Sequence, residues 1–314
     1  MDVDSEATMS TTRPVVSGWR QGTVAGNGVD LVYEERGPAD GPVVLLITGL
    51  SWQLIHWPEE FCQPLLDAGY RVIRFDNRDA GLSSKIPGRV KFDVMQSAIM
   101  RHFGLPASAD YTLHHMVDDV IALLDGLQVS RAHLVGASMG GMIAQLCAVK
   151  VPGRVASLTS MMSSTNHPSL PTAEPEVLKA LFAKSVEHST EAIVERSFLF
   201  HQLIGSPAYP TPDSELRELC RTAFERSYRP GGVMRQLHAI IATGSFEHKL
   251  LRVKAPTQII HGDADRMVPL KCGRRTARAI DGAKLEVIPG MGHDFPSQLL
   301  PKLADLCLQN FQCA

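Results

Sequence analysis

One serine in this sequence sits where a hydroxyl can become a nucleophile. Gly136-Ala137-Ser138-Met139-Gly140 has the form G-x-S-x-G, with Ala132-His133-Leu134-Val135 before it and Met142-Ile143-Ala144 after it. A strand before the motif and a helix after it predict a sharp turn that exposes the hydroxyl, with glycines admitting neighbouring backbone. The helix that starts after Ser138 would also aim backbone N–H groups at the site and favour negative charge there. Such a hydroxyl is a poor nucleophile until a base takes its proton, so a histidine is required. Of the twelve histidines, His293 is the candidate, because Pro289-Gly290-Met291-Gly292-His293 reads as a loop just after the last expected strand. A carboxylate must then fix the imidazole tautomer and stabilise the imidazolium. His261-Gly262-Asp263-Ala264-Asp265 follows another expected strand. Asp265 takes the role, and Asp263 is the rival, better suited to a turn with the backbone. Asp294 is expected to face solvent or to cap the helix after Pro296.

Attack on a carboxylic carbonyl creates an oxyanion, which needs two preorganised N–H donors. The backbone of Met139, next to the nucleophile, and that of Leu50, in Thr48-Gly49-Leu50, are the expected pair. Trp52, His56 and Trp57, just beyond that turn, and Phe198 and His201, from the middle of the chain, are candidates to line a pocket. Arg78 and Asp79 are expected to hold their loop against the serine turn by hydrogen bonds. His114-His115 invites a metal reading, but adjacent helical residues point in different directions, so a helix-surface role is expected. No metal and no cofactor are expected.

These residues need a scaffold that brings them to one edge. Residues 21–25 and 29–35 read as short strands, and 43–47 is a continuous apolar run suited to a strand buried on both faces. A helix at 58–68, a strand at 71–75, a helix at 111–127, a strand at 133–137, a helix at 139–149 and a strand at 155–161 follow. Residues 165–254 show helical patches broken by prolines. Strand–helix alternation resumes with strands at 257–261 and 284–288, a helix near 270–280 and a last helix after Pro296. Such alternation predicts an α/β fold with a mostly parallel sheet flanked by helices. The expected organisation is a tail at 1–18, a core at 19–164 and 249–314, and an inserted helical cap at 165–248.

The chain has 314 residues and a formal charge of -2, with no basic run, which excludes the electrostatic footprint of a nucleic-acid binder or an anionic membrane surface. The first residues lack the basic start and apolar stretch of a secretory peptide, and no apolar run is long enough to span a bilayer. Six cysteines without a CxxC pair argue against a zinc or redox site and for reduced thiols in a cytoplasm. Oligomeric state is not encoded in any pattern we recognise.

Residues 24–308 closely resemble the α/β-hydrolase superfamily, and within it bacterial esterases of the aclacinomycin methylesterase type. The stretches that carry the resemblance are Arg74-Phe75-Asp76-Asn77-Arg78-Asp79-Ala80-Gly81-Leu82-Ser83, Leu134-Val135-Gly136-Ala137-Ser138-Met139-Gly140-Gly141 and Ile288-Pro289-Gly290-Met291-Gly292-His293. The chain order Ser138, Asp265, His293 is that of the superfamily. The resemblance implies a Ser-His-Asp triad, a cap, and hydrolysis of a small-molecule ester without metal or cofactor. One departure is Thr48-Gly49, where many members carry His-Gly. Lactone opening, thioester hydrolysis, perhydrolysis and C–C cleavage use the same triad, and a non-catalytic ligand receptor on the same fold is the competing class. Haloalkane dehalogenases and epoxide hydrolases use a carboxylate nucleophile, and Ser138 argues strongly against them.

Overall fold

In the computed structural model, which describes residues 18–88, 109–183 and 189–314, the apolar run Val43–Ile47 is strand β3 and all five side chains are buried. Burial on both faces has a simple origin. Val43, Leu45 and Ile47 point into one core cluster, while Val44 and Leu46 point into another on the opposite side of the sheet. Strands β1 (Arg20–Gly26), β2 (Val29–Arg36), β4 (Arg71–Phe75), β5 (Ala132–Ala137), β6 (Val155–Met161), β7 (Thr257–Gly262) and β8 (Lys284–Ile288) complete an eight-stranded sheet. Its order is β1-β2-β4-β3-β5-β6-β7-β8. The pairs β1–β2 and β2–β4 are antiparallel, and every later pair is parallel.

Helices cover both faces. On one side lie α2 (Leu113–Gly126) and α3 (Met139–Lys150), which bury Met116, Val120, Leu123, Ile143 and Leu146 against the odd residues of β3. On the other lie α1 (Glu59–Asp67) and the last helix, α9 (Leu300–Phe311), with Phe61, Leu65, Leu303 and Phe311 against Val44 and Leu46. α8 (Lys271–Ala279) connects β7 to β8. The expected α/β architecture is therefore the observed one, with element ends within about three residues of those read from the sequence.

Between β6 and β7 the chain forms α4 (Pro175–Leu181), α5 (Thr190–Ile204), α6 (Asp213–Arg226) and α7 (Pro230–Thr243), with no strand among the described residues. α7 reaches the sheet core through Ala239, whereas α5 and α6 enclose a small cluster of their own, built on Val194, Phe198 and Cys220. The tail expected at 1–18 lies outside the described residues except for Gly18.

The chain leaves β3 for β4 on one side, yet β5 pairs on the other side of β3. The connections that leave the carboxyl ends of β3 and β5 therefore run to opposite sides, which opens a crevice beyond those ends, the usual place for a ligand in an open parallel sheet. The Thr48-Gly49-Leu50 turn and Ser138 both follow those ends.

Candidate active site

Ser138 joins β5 directly to α3 and has φ 54° and ψ −120°, a strained conformation for a side-chain-bearing residue. The turn closes only because its neighbours are glycines. A Cβ on Gly140 would stand 2.0 Å from the Ile47 carbonyl oxygen, and one on Gly136 would stand 2.2 Å from that of Gly140. The Ser138 N–H donates to the Met161 carbonyl at 2.9 Å, and the Ser163 hydroxyl donates to the Ser138 carbonyl at 2.7 Å. The hydroxyl is thus carried on a turn held from both sides.

His293 follows β8, and its own N–H donates to the Ile204 carbonyl at the end of α5, at 2.7 Å. Its Nε2 lies 3.0 Å from Ser138 Oγ and its Nδ1 lies 2.8 Å from Asp265 Oδ2. Asp265 Oδ1 accepts the N–H groups of Met267 and Val268 at 2.9 and 2.7 Å, so both carboxylate oxygens are engaged. With Oδ2 able only to accept, Nδ1 carries the ring proton and Nε2 is left as an acceptor facing the hydroxyl. All three side chains are buried, which strengthens their mutual electrostatics.

Asp263 accepts the Gly290 N–H at 2.6 Å and so braces the loop that leads to His293. Asp294 departs from expectation. It neither faces open solvent nor caps the last helix, but accepts the N–H and hydroxyl of Ser206 at 3.2 and 2.5 Å. Burial pushes its carboxyl above the usual range.

The Thr48-Gly49-Leu50 turn passes beside Ser138: a Cβ on Gly49 would lie 3.2 Å from that of Ser138. Asn77 Nδ2 donates to the Thr48 carbonyl and hydroxyl, both at 3.1 Å, which fixes the turn. Met139 is the first residue of α3, so its N–H has no partner within the helix. No hydrogen bond among the described residues uses the Leu50 or Met139 N–H.

A cavity of about 780 Å³ adjoins this centre, and Trp52, His56, His201, Asp265, Asp294 and Phe295 are among the residues that line it. Three rings form one wall: Trp52 stacks on His56 at 5.5 Å, and His56 on His201 at 6.4 Å between centroids. Trp52 also sits 6.3 Å from the His293 ring. Burial, with a smaller contribution from His201, pushes His56 down to about 3, and burial lowers His201 as well, so both imidazoles are neutral at neutral pH. His201 Nδ1 donates to the Ser197 carbonyl at 2.8 Å, which leaves its Nε2 as an acceptor. Two of the expected lining residues are elsewhere. Trp57 is enclosed by Phe61 and Phe295, and Phe198 packs in the α5–α6 cluster under Arg217. Trp57 suits core and pocket equally, and an aromatic at helical spacing such as Phe198 is more often core; packing takes both.

Arg78 and Asp79 do hold their loop, but not against the serine turn. Arg78 forms a two-pronged pair with Asp119 of α2, and Asp79 forms another with Arg235 of α7. Asp76 meets Arg226 of α6 at 2.8 Å. Gln236 bridges the Ser51 N–H and the Arg78 carbonyl at 3.0 and 2.8 Å. These partners are separated by 41 to 185 residues along the chain, and no local pattern announced Asp119, Arg226, Arg235 or Gln236. His115 caps its own helix through Thr112, and no group of three or more metal-ligating side chains occurs among the described residues. No helix among them is long and apolar enough to cross a membrane.

Comparison with known proteins agrees with this fold. The family model described as alpha/beta hydrolase fold matches residues 42–297. The rhodomycin D methylesterase of Streptomyces peucetius is 29% identical over 292 residues, covering 85% of this chain and 89% of the relative. A bifunctional esterase/perhydrolase of Acinetobacter calcoaceticus is 24% identical, covering 86% and 92%. Among solved structures, the meta-cleavage product hydrolase CumD of Pseudomonas fluorescens superposes with a TM-score of 0.71 at 23% identity, over 93% of this chain and 97% of that one. With a match that spans most of its length, the chain belongs to the α/β-hydrolase family.

Proposed function

We propose that this protein is a serine hydrolase of small to medium carboxylic esters, with Ser138 as nucleophile, His293 as general base and acid, and Asp265 as the carboxylate that orients it. The observation that carries the reading is the continuous relay from Asp265 Oδ2 through both nitrogens of His293 to Ser138 Oγ, at 2.8 and 3.0 Å. Similarity to a methylesterase and to an esterase/perhydrolase supports an ester as the bond cleaved.

The chemistry follows from the tautomer. His293 Nε2 takes the Ser138 proton as Oγ bonds to the ester carbonyl carbon, and the carbonyl oxygen becomes an oxyanion held by the Leu50 and Met139 N–H groups. The C–O bond to the alcohol then breaks, and the imidazolium gives its proton to the departing oxygen. Water enters, loses a proton to the same nitrogen, and attacks the acyl carbon. Collapse releases the acid and returns the proton to Ser138. The ring wall of Trp52, His56 and His201 would receive part of the substrate.

Ser138→Ala, assayed on p-nitrophenyl acetate and on a methyl ester, should lower kcat by about a thousandfold or more, because the oxyanion donors and the pocket remain. Turnover within tenfold of the parent would overturn the assignment.

A further inference from the structure

His261, on β7, precedes Asp265 by one turn of chain, and its side chain is fully enclosed. Its Nε2 lies 2.7 Å from the Val268 carbonyl oxygen, which can only accept, so Nε2 carries the proton. Nδ1 is then a bare acceptor, and it has no hydrogen-bond partner among the described residues. Burial lowers the affinity of the ring for a second proton, against the pull of Asp265. A neutral imidazole with one satisfied nitrogen and one orphaned nitrogen is a poor core residue. Its value lies in what the single N–H does.

That N–H reaches the carboxylate by two routes. The Val268 carbonyl accepts the hydrogen bond of the His261 Nε2–H, and the Val268 N–H donates to Asp265 Oδ1 at 2.7 Å. The same Nε2 stands 3.5 Å from Asp265 Oδ2, the oxygen that receives His293 Nδ1 at 2.8 Å. On the far side, α8 presses Gly273 against the ring: a Cβ there would fall 2.4 Å from Nδ1. The imidazole is therefore wedged in one orientation between the helix and the turn.

We propose that His261 is a positioning residue for the Asp265–His293 couple: its Nε2–H pins the Val268 carbonyl, and the pinned turn holds the carboxylate with Oδ2 toward His293 while the N–H dipole draws charge from that oxygen. This rests on the roles given to Asp265 and His293 above. The other ionisable groups about the couple are Asp294 and His201 beside His293 and Cys272 beside Asp265, and the tests leave all of them in place.

Without the N–H, Oδ2 keeps more charge for His293 and stabilises its protonated form, so the acid limb of the kcat/KM profile on a neutral ester moves to higher pH. His261→Phe, which fills the space but lacks the donor, should move that limb upward by roughly half a unit or more and lower kcat about tenfold, with KM changed less than about twofold. His261→Gln, whose amide N–H can reach the Val268 carbonyl, should return the limb to its parental position. Gly273→Ala keeps the imidazole but displaces it, and should move the limb in the same direction as His261→Phe. A limb that stays in place in both His261→Phe and Gly273→Ala would make His261 mere filling and overturn the proposal. Failure of the Gln variant to restore the limb would overturn the N–H as its agent. Ser138→Ala, run alongside, separates this result from the parent reading, since retained turnover there fails the triad itself, whatever the limb does.

Discussion

The sheet and the α5–α6 pair are held by different forces. Two large apolar clusters fill both faces of the sheet, and most of their members are fully enclosed. The α5–α6 pair has one small cluster of its own, built on Val194, Phe198 and Cys220. It is secured to the sheet by polar ties instead. Gln53 Nε2 donates to the Ala223 and Ser227 carbonyls at 2.6 and 3.0 Å, and Arg226 reaches both Gln53 and Asp76. One helix later, Arg235 closes on Asp79. Non-directional burial gives the sheet its stability, while directional pairs give the inserted helices one seat over the crevice. That arrangement suits a segment that walls a pocket, because a seat made of a few pairs can differ among relatives without disturbing the core.

The strongest challenge to this contrast is removal of one deep pair. Asp79 and Arg235 have side chains 0% and 3% exposed, so Asp79→Asn leaves a buried guanidinium without its counter-charge. About 3–5 kcal/mol of stability should be lost by denaturant unfolding. The double variant Asp79→Asn/Arg235→Met should recover more than about 1 kcal/mol of that loss, and strict additivity would show that the pair is not a unit.

A smaller effect should separate the two cores. Val194→Ala should cost about 2 kcal/mol, from the two lost methyl groups. Hydrogen exchange should locate that loss in α5 and α6, leaving β3 and β5 protected. Loss of protection across the sheet as well would join the two into one cooperative unit.

The smallest effect concerns acid. His133, on β5, lies between Tyr70 and Phe311, and burial, helped by Arg131, pushes it down to about 4. Its folded value is below its unfolded value, so it contributes stability above about pH 6.5 that is lost as pH falls toward 4. Thermal unfolding between pH 7 and 5 should therefore fall less steeply in His133→Gln than in the parent protein. Equal slopes would remove His133 from the acid sensitivity of the sheet.

Most of the fold was legible because its signals are local. Continuous apolar runs such as 43–47 announce doubly buried strands, and the Gly136, Gly140 and Ser138 spacing announces a tight strand-to-helix bend. The candidate relay was legible for the same reason: each member lies just after a recognisable strand, and parallel strands bring their ends to one edge. Trp57 and Phe198 were misread because an aromatic side chain carries no mark that tells cavity from core. Arg78 and Asp79 were read correctly as loop holders, yet their partners were not, since a guanidinium meets whichever carboxylate folding brings to it.

By itself, then, the sequence determined the alternation of strands and helices, the strained turn at Ser138 and the order of the candidate catalytic groups, all consequences of period, glycine and side-chain chemistry within a few residues. Only the tertiary structure decided which rings wall the cavity, that Asp294 turns to Ser206, and that His261 and His293 flank one carboxylate oxygen. Those outcomes depend on distances between segments far apart in the chain, where packing chooses the partner and no local pattern records the choice.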